Sequence, residues 1–177
     1  MPRATDTTGI LQPITSIAVF IPGYGTLNPR VLPEITDSKS ASYADEQVQG
    51  RSFPIKTFAH SENRVITMKW HFVVMDSNTL REAQTYVRAF QSAVYPAASN
   101  TSPYAPPPIC TLQYGSVLSK DKLCVILRQY SVSYPTDVAF DENTLFAFRF
   151  DIDLSWEAVF PSSQLPNQSM ILGDIPG

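Results

Sequence analysis

Asp151 and Asp153 are the residues of this chain best spaced for chemistry. They sit two apart in LFAFRFDIDLSWEAVF, residues 145–160, and positions two apart on an extended chain point the same way. Two carboxylates on one face could raise each other's pKa or hold a hard cation. Acid–base work also needs a third group and a pocket. The run offers neither, so a solvated or interface face is the better reading. Ser, His and Asp all occur, yet no serine sits in the glycine pattern of a nucleophile elbow. Gly23-Tyr24-Gly25 has no lysine and no helix after it, so it does not read as a phosphate cradle. His60 and His71 are far apart in the chain and lack cysteine company for zinc. Arg51 and Arg64 flank a strand start, where arm or subunit anchors fit better than catalytic clamps. Cys110 and Cys124 both fall in strand-like runs. They are expected to be buried core thiols of a protein made in a reducing compartment, neither disulfide nor metal ligands. The chain therefore reads as a non-enzyme with no catalytic, cofactor or metal site.

What must position the acidic pair is the alternation around it. Phe146, Phe148, Phe150, Ile152, Leu154, Trp156, Ala158 and Phe160 are apolar, and Arg149, Asp151, Asp153, Ser155 and Glu157 lie between them. Period two gives a long strand with one apolar and one charged face, whereas a helix would scatter the aromatics. Residues 64–74 repeat the pattern. Ile66, Met68, Trp70, Phe72 and Val74 point one way and Thr67, Lys69 and His71 the other, so His71 reads as an exposed strand residue. A single helix is expected over 79–95. Thr79-Leu80-Arg81-Glu82 fits a capping box, Leu80, Ala83, Val87, Phe90 and Val94 form one apolar stripe, and Tyr95-Pro96 stops it. That stripe should lie across the apolar face of the sheet.

Shorter strands are expected over 14–21, over 51–58 with Pro54 keeping it at an edge, and over 109–114 and 123–134 as a hairpin. Residues 1–13 read as a flexible leader. Residues 26–50 are polar and aperiodic, an extended arm whose Val31, Leu32, Ile35 and Tyr43 would dock on something. Residues 161–177 form a proline-rich tail with Met170-Ile171-Leu172 as a docking hook. No repeat or internal boundary divides 1–177, which reads as one domain. Charged residues make up 16% of the chain, below the ordinary level of about 25%, as when surface is hidden in an assembly. A net charge of −3 gives no support to a general role on DNA or membranes. No apolar run is long enough to span a bilayer, and the first residues lack the apolar centre of a secretory signal.

The order of parts resembles a known family. An arm ends in Gly50-Arg51-Ser52-Phe53-Pro54-Ile55, then come Asn63-Arg64 and a strand, then a capped helix ending in Tyr95-Pro96. Pro106-Pro107-Pro108-Ile109 leads into a strand ending in Tyr114-Gly115, followed by Tyr130-Ser131-Val132-Ser133-Tyr134 and the charged, aromatic closing strand. This is similar to the tube-initiator and hub-adaptor proteins of contractile phage tails, which share the tail-tube fold. The likeness runs from the middle of the arm to Phe160.

The resemblance implies a mainly β fold, an antiparallel tail-tube-like barrel or sandwich with one packing helix and extended loops. It also implies a homo-oligomer, a hexameric ring whose sheets join into one barrel with helices outside and DNA passing through the lumen. Such a ring links the baseplate hub and spike to the tail-tube protein or a second adaptor ring and starts tube assembly. A tape-measure protein would be a further partner, and DNA would be met only in transit, with no membrane. The place of action would be the virion tail baseplate, after synthesis in the host cytoplasm. Asp151, Asp153, Glu157 and Lys69 would then face the lumen. Glu34, Asp37 and Tyr43 would cross to a neighbouring subunit, with Arg51 and Arg64 anchoring the arm's base. Two alternatives stay open at this point. One is an ordinary tail-tube or tail-terminator ring; the other is a monomeric β-sandwich with a ligand pocket lined by some of Trp70, Trp156 and Tyr130.

Overall fold

The computed structural model describes residues 11–50, 52–96, 105–118 and 122–160. In chain order the elements are β1 (Ile17–Ile21), β2 (Gly25–Leu27), β3 (Glu34–Ser38), β4 (Ala41–Glu46), β5 (Ile55–Ser61), β6 (Val65–Val73), α1 (Ser77–Val94), β7 (Cys110–Tyr114), β8 (Leu123–Ser133) and β9 (Arg149–Ala158). The fold is mainly β with one helix, as the alternating runs predict. Seven strands form one antiparallel sheet in the order β2-β1-β7-β8-β9-β6-β3, and β4 and β5 pair separately. The sheet is open: among the described residues β2 and β3 are its edges and do not meet, so the single chain closes no barrel.

The core lies on one side of this sheet. Ile66, Met68 and Trp70 of β6 and Phe150, Ile152, Leu154 and Trp156 of β9 are buried, and α1 covers them with Ala83, Ala89, Phe90 and Ala93. Phe90 stands edge-on to Trp70 at 5.3 Å and to Trp156 at 6.3 Å, the quadrupole-favoured arrangement for aromatic rings. Phe72 and Phe150 stack at 4.8 Å. Both indole N–H groups are buried and find no acceptor among the described residues. Each such orphan costs about 1–3 kcal/mol, a cost set against the large apolar area the two rings bury.

Several expectations are corrected in detail. The helix starts at Ser77, and its N-cap is Asp76, not Thr79. The Asp76 carboxylate accepts from the Thr79 amide at 2.7 Å and the Thr79 hydroxyl accepts from the Asp76 amide at 2.9 Å. Thr79 is thus the third residue of the box, and Glu82 turns instead to Arg30 and Tyr86. The last strand begins at Arg149, although the apolar alternation begins earlier. Thr144 is bound to the Asp141 carboxylate, Leu145 takes a left-handed φ of 56°, and Ala147 bridges to Phe140, so the chain turns before it joins the ladder. Residues 26–50 are not loop throughout. They carry the end of β2, all of β3 and all of β4, because their order comes from pairing with β1, β6 and β5 and not from a buried face of their own. The edge strand expected over 51–58 is β5, shifted to Ile55–Ser61. Cys110 is buried as expected, but Cys124 is exposed, because it has the opposite parity to Leu123 and Val125 and faces away from the helix.

Candidate functional site: an open sheet face and a projecting arm

The face of the sheet away from α1 has no covering element among the described residues. Register puts Thr67, Lys69 and His71 of β6 directly opposite Ser155, Asp153 and Asp151 of β9. Ser131 and Gln129 of β8 continue the row beside Asp153 and Ser155, and Glu34 and Thr36 of β3 flank Lys69 and Thr67 on the other side. Cross-strand pairing therefore assembles a polar surface that no single strand contains.

The charges on it are largely paired. His71 Nδ1 lies 2.7 Å from Asp151 Oδ1, Lys69 Nζ lies 3.5 Å from Asp151 Oδ2, and His71 Nε2 lies 3.7 Å from Glu34. Glu157 is held by Asn63 and Arg128. Partial burial works to raise the Asp151 carboxyl, but the His71 hydrogen bond and the charges of His71 and Lys69 outweigh it and hold it below 3.8. The hydrogen bond from Asn63 and the Arg128 guanidinium likewise depress Glu157 against a smaller desolvation effect. Asp151 is therefore lowered by its partners on β6. His71 is half-buried and bonded, not a free exposed residue. Asp153 has no hydrogen-bond or ion-pair partner among the described residues and is exposed. Lys69, Arg128 and Arg149 stand against Glu34, Asp151, Asp153 and Glu157, so this surface is close to charge-balanced.

Arg128 is a site residue that alternation alone hides. It sits at the bulge in β8 between Leu127 and Gln129. The signal is legible in hindsight: apolar positions run odd through Leu123, Val125 and Leu127, then even at Tyr130 and Val132. A phase flip of one residue is what an inserted bulge residue produces.

The arm is a ribbon. Glu34 pairs with Lys69 and Ser38 with Val65, and after Ser40 accepts from the Glu62 amide at 2.9 Å the pairing resumes from Ala41–Ser61 to Glu46–Ile55. The β3–β4 and β5–β6 segments thus make one long hairpin, and its outer half leaves the sheet. Six residues of β4 at about 3.3 Å each carry it about 20 Å beyond. Tyr43 packs edge-on to Phe58 at 5.8 Å, and Lys56 pairs with Asp45 at 2.8 Å. Tyr43, Phe58 and Phe53 remain 55%, 56% and 82% exposed, much apolar ring surface for a ribbon with no core.

The residues expected at a subunit interface fall in three places. Glu34 lies on the open face beside His71. Asp37 lies on the opposite face, where it is bound by Arg64, with Nε–Oδ1 at 2.8 Å, and Arg64 also donates to the Leu118 carbonyl. The Asp37 hydrogen bond raises the Arg64 pKa against the opposing effect of burial. That pair pins the edge strand to the core within the chain. Tyr43 is on the arm, and Arg51 lies outside the described residues. Arg64, expected at the arm's base, does stand there, close to the end of β5.

Trp70 and Trp156 are fully buried in the core. The space beside Trp70, next to Tyr86 and Phe72, is about 20 Å³, room for a single water-sized guest. The open face dips into a trough of about 480 Å³ between Glu34, Lys69, Ser131 and Asp153, walled on one side and open to solvent. No helix among the described residues is long and apolar enough to cross a membrane.

No protein family matches the chain. No curated protein matches it either. Among solved structures it is similar to a chain of a particle described as "Tail of empty GTA particle computed with helical refinement, C6 symmetry", at 10% identity and a TM-score of 0.35, over 88% of each chain. Likeness at that level says nothing of what this chain binds, so its function is argued from the two faces and the arm.

Proposed function

We propose that this chain is a structural subunit of a contractile-tail baseplate ring that links the hub and spike to the tail tube and starts tube assembly. One observation carries the reading: a seven-stranded sheet is sealed by a helix on one face, left open and polar on the other, and extended by a ribbon with exposed rings. A wall element needs those three things, a dry side, a wet side and a clasp. The sequence resemblance supplies the setting, six copies around a bore. In that setting Asp151, Asp153, Glu157 and Lys69 face the lumen. The near-balance of charge around these residues gives that part of the wall little net field with which to hold phosphate. The chain acts by shape and surface, not by catalysis.

The test is to locate the chain in images of the intact particle. Six copies with Asp153 turned to the axis and each arm lying on a neighbour are expected. A position off the axis, or Asp153 on the outer surface, overturns the assignment. Purified protein that polymerises alone into long tubes would instead identify a tail-tube protein, which must stack on itself.

A further inference from the structure

One end of the sheet carries an apolar surface distinct from the charged rows and from the arm. There β6 and β8 finish and β9 begins, and residues 139–148 fold back as a small hairpin. The Phe148 amide donates to the Ala139 carbonyl at 2.9 Å, Phe140 bridges to Ala147, and the Val74 amide donates to the Phe148 carbonyl at 2.7 Å. Leu145 is 74%, Phe140 54% and Met75 52% exposed, and Phe148, Val73 and Tyr134 are exposed as well. At about 200 Å² per ring, the three aromatics alone leave about 250 Å² uncovered. Leu145, Met75 and Val73 carry the surface into the size range that marks a contact site. The turn adds a second sign. Leu145 holds a φ of 56°, a left-handed conformation that glycine or asparagine takes with less strain. Being mostly exposed, it gains little packing among the described residues to offset that strain, and strain of this kind gathers at functional contacts.

We infer that this end of the sheet seats a different protein, one that presents apolar side chains inside a basic rim. Charge sets the choice. Asp76 follows Met75, Asp137 precedes the hairpin, and Asp141 and Glu142 lie in its turn, whereas Arg149 is the only cation across residues 73–76 and 134–149. A second copy does not supply the complement. Its matching end would bring acid against acid. Its far end, at the base of the arm, is a polar trough of about 440 Å³ lined by Lys39, Glu62, Asn63, Arg128 and Glu157, where apolar rings would be buried against hydrated charges. Its arm has exposed rings but no free cation among the described residues of 41–61, since Lys56 is paired with Asp45 and His60 lies against Glu62. The inference rests on the ring reading for its setting. Where the sheet is the wall of a ring, the strand ends are its rims, and this rim meets a protein of another kind. A ring joined to unlike neighbours above and below requires such a surface.

The test uses purified particles that carry the full chain with Leu145→benzoylphenylalanine, a photoreactive side chain that joins whatever C–H group touches it. Leu145 is exposed, so the exchange leaves the core alone. Illumination is expected to join this chain to a different polypeptide, at a segment holding apolar residues beside lysine or arginine. A product with this chain's own residues, the arm at 41–61 included, would make the occupant a second copy and overturn the inference. So would a joined segment of net negative charge, or no product from particles that contain the chain. The paired variant Phe140→Asp, Leu145→Asp gives an independent reading. Both side chains are exposed, so the purified variant should unfold in urea as the parent does, while the yield of particles falls about tenfold or more. Normal yield overturns the inference. A chain found on the axis but not joined through position 145 sinks this inference and leaves the ring reading standing, whereas absence of the chain from particles sinks both.

Discussion

Removing the arm separates folding from assembly. A deletion that starts at Glu34 would take away β3 and open the sheet edge, so the cut has to begin at Ala41 and end at Ser61. Ser40 and Glu62 are already hydrogen-bonded at 2.9 Å, and a two-residue Asn-Gly turn can join them. The energetic expectation follows from the ribbon. Among the described residues its strands pair only with each other, and apart from half-buried Ser42 every residue of both is exposed. What is lost is mainly the Tyr43–Phe58 cross-strand pair, worth about 0.5–1 kcal/mol; the exposed Lys56–Asp45 pair adds little. Shortening the connection by about three halvings returns about 2 kcal/mol at most in closure entropy. The variant should therefore be as stable as the parent or slightly more so. Urea unfolding followed by tryptophan fluorescence reads this directly, because Trp70 and Trp156 both sit in the core. The same variant should fail to rescue particles lacking the chain. A loss of more than about 3 kcal/mol would show that the ribbon belongs to the folding unit. A stable variant that builds normal particles would remove the clasp from the proposed function.

Phe90→Ala deletes the ring that sits between Trp70 and Trp156 and should cost about 3–5 kcal/mol in urea unfolding; a cost below about 1 kcal/mol would mean the helix does not seal the sheet. Asp151→Asn bears on acid stability. The native carboxyl is held below 3.8, so its contribution is full above that value and fades as pH falls through the depressed one. The parent should therefore lose its advantage over the variant on acidification, and a gap constant from pH 7 to 2 would refute the ion-pair assignment. Asp153→Lys changes an exposed charge with no partner among the described residues, so stability should stay within about 0.5 kcal/mol while assembled particles release their genome more slowly; unchanged release in ejection assays would remove Asp153 from the lumen.

The two alternating runs are legible in the sequence because a strand with one dry face must place an apolar residue at every second position. Ile66 to Phe72 and Phe150 to Trp156 therefore declare their own faces, and the same reasoning finds the helix from its stripe and its stop at Pro96. β3 and β4 leave no such trace. Their order is borrowed from β6 and β5, and an edge or ribbon strand buries too little to impose a period on its own residues. The bulge at Arg128 lies between these cases, written in the chain as a change of phase that only the pairing with β9 makes plain.

The amino-acid order by itself determined the dry face, the helix that covers it and the presence of acids on the far side, since each follows from local periodicity. Only the tertiary structure decided what those acids are. Asp151 and Lys69 are distant in the chain and meet because β9 lies beside β6, which turns a strip of acid into a balanced surface of paired charges. Charge pairing and patch formation are properties of neighbouring strands, and the identity of the neighbour is settled only when the whole sheet forms.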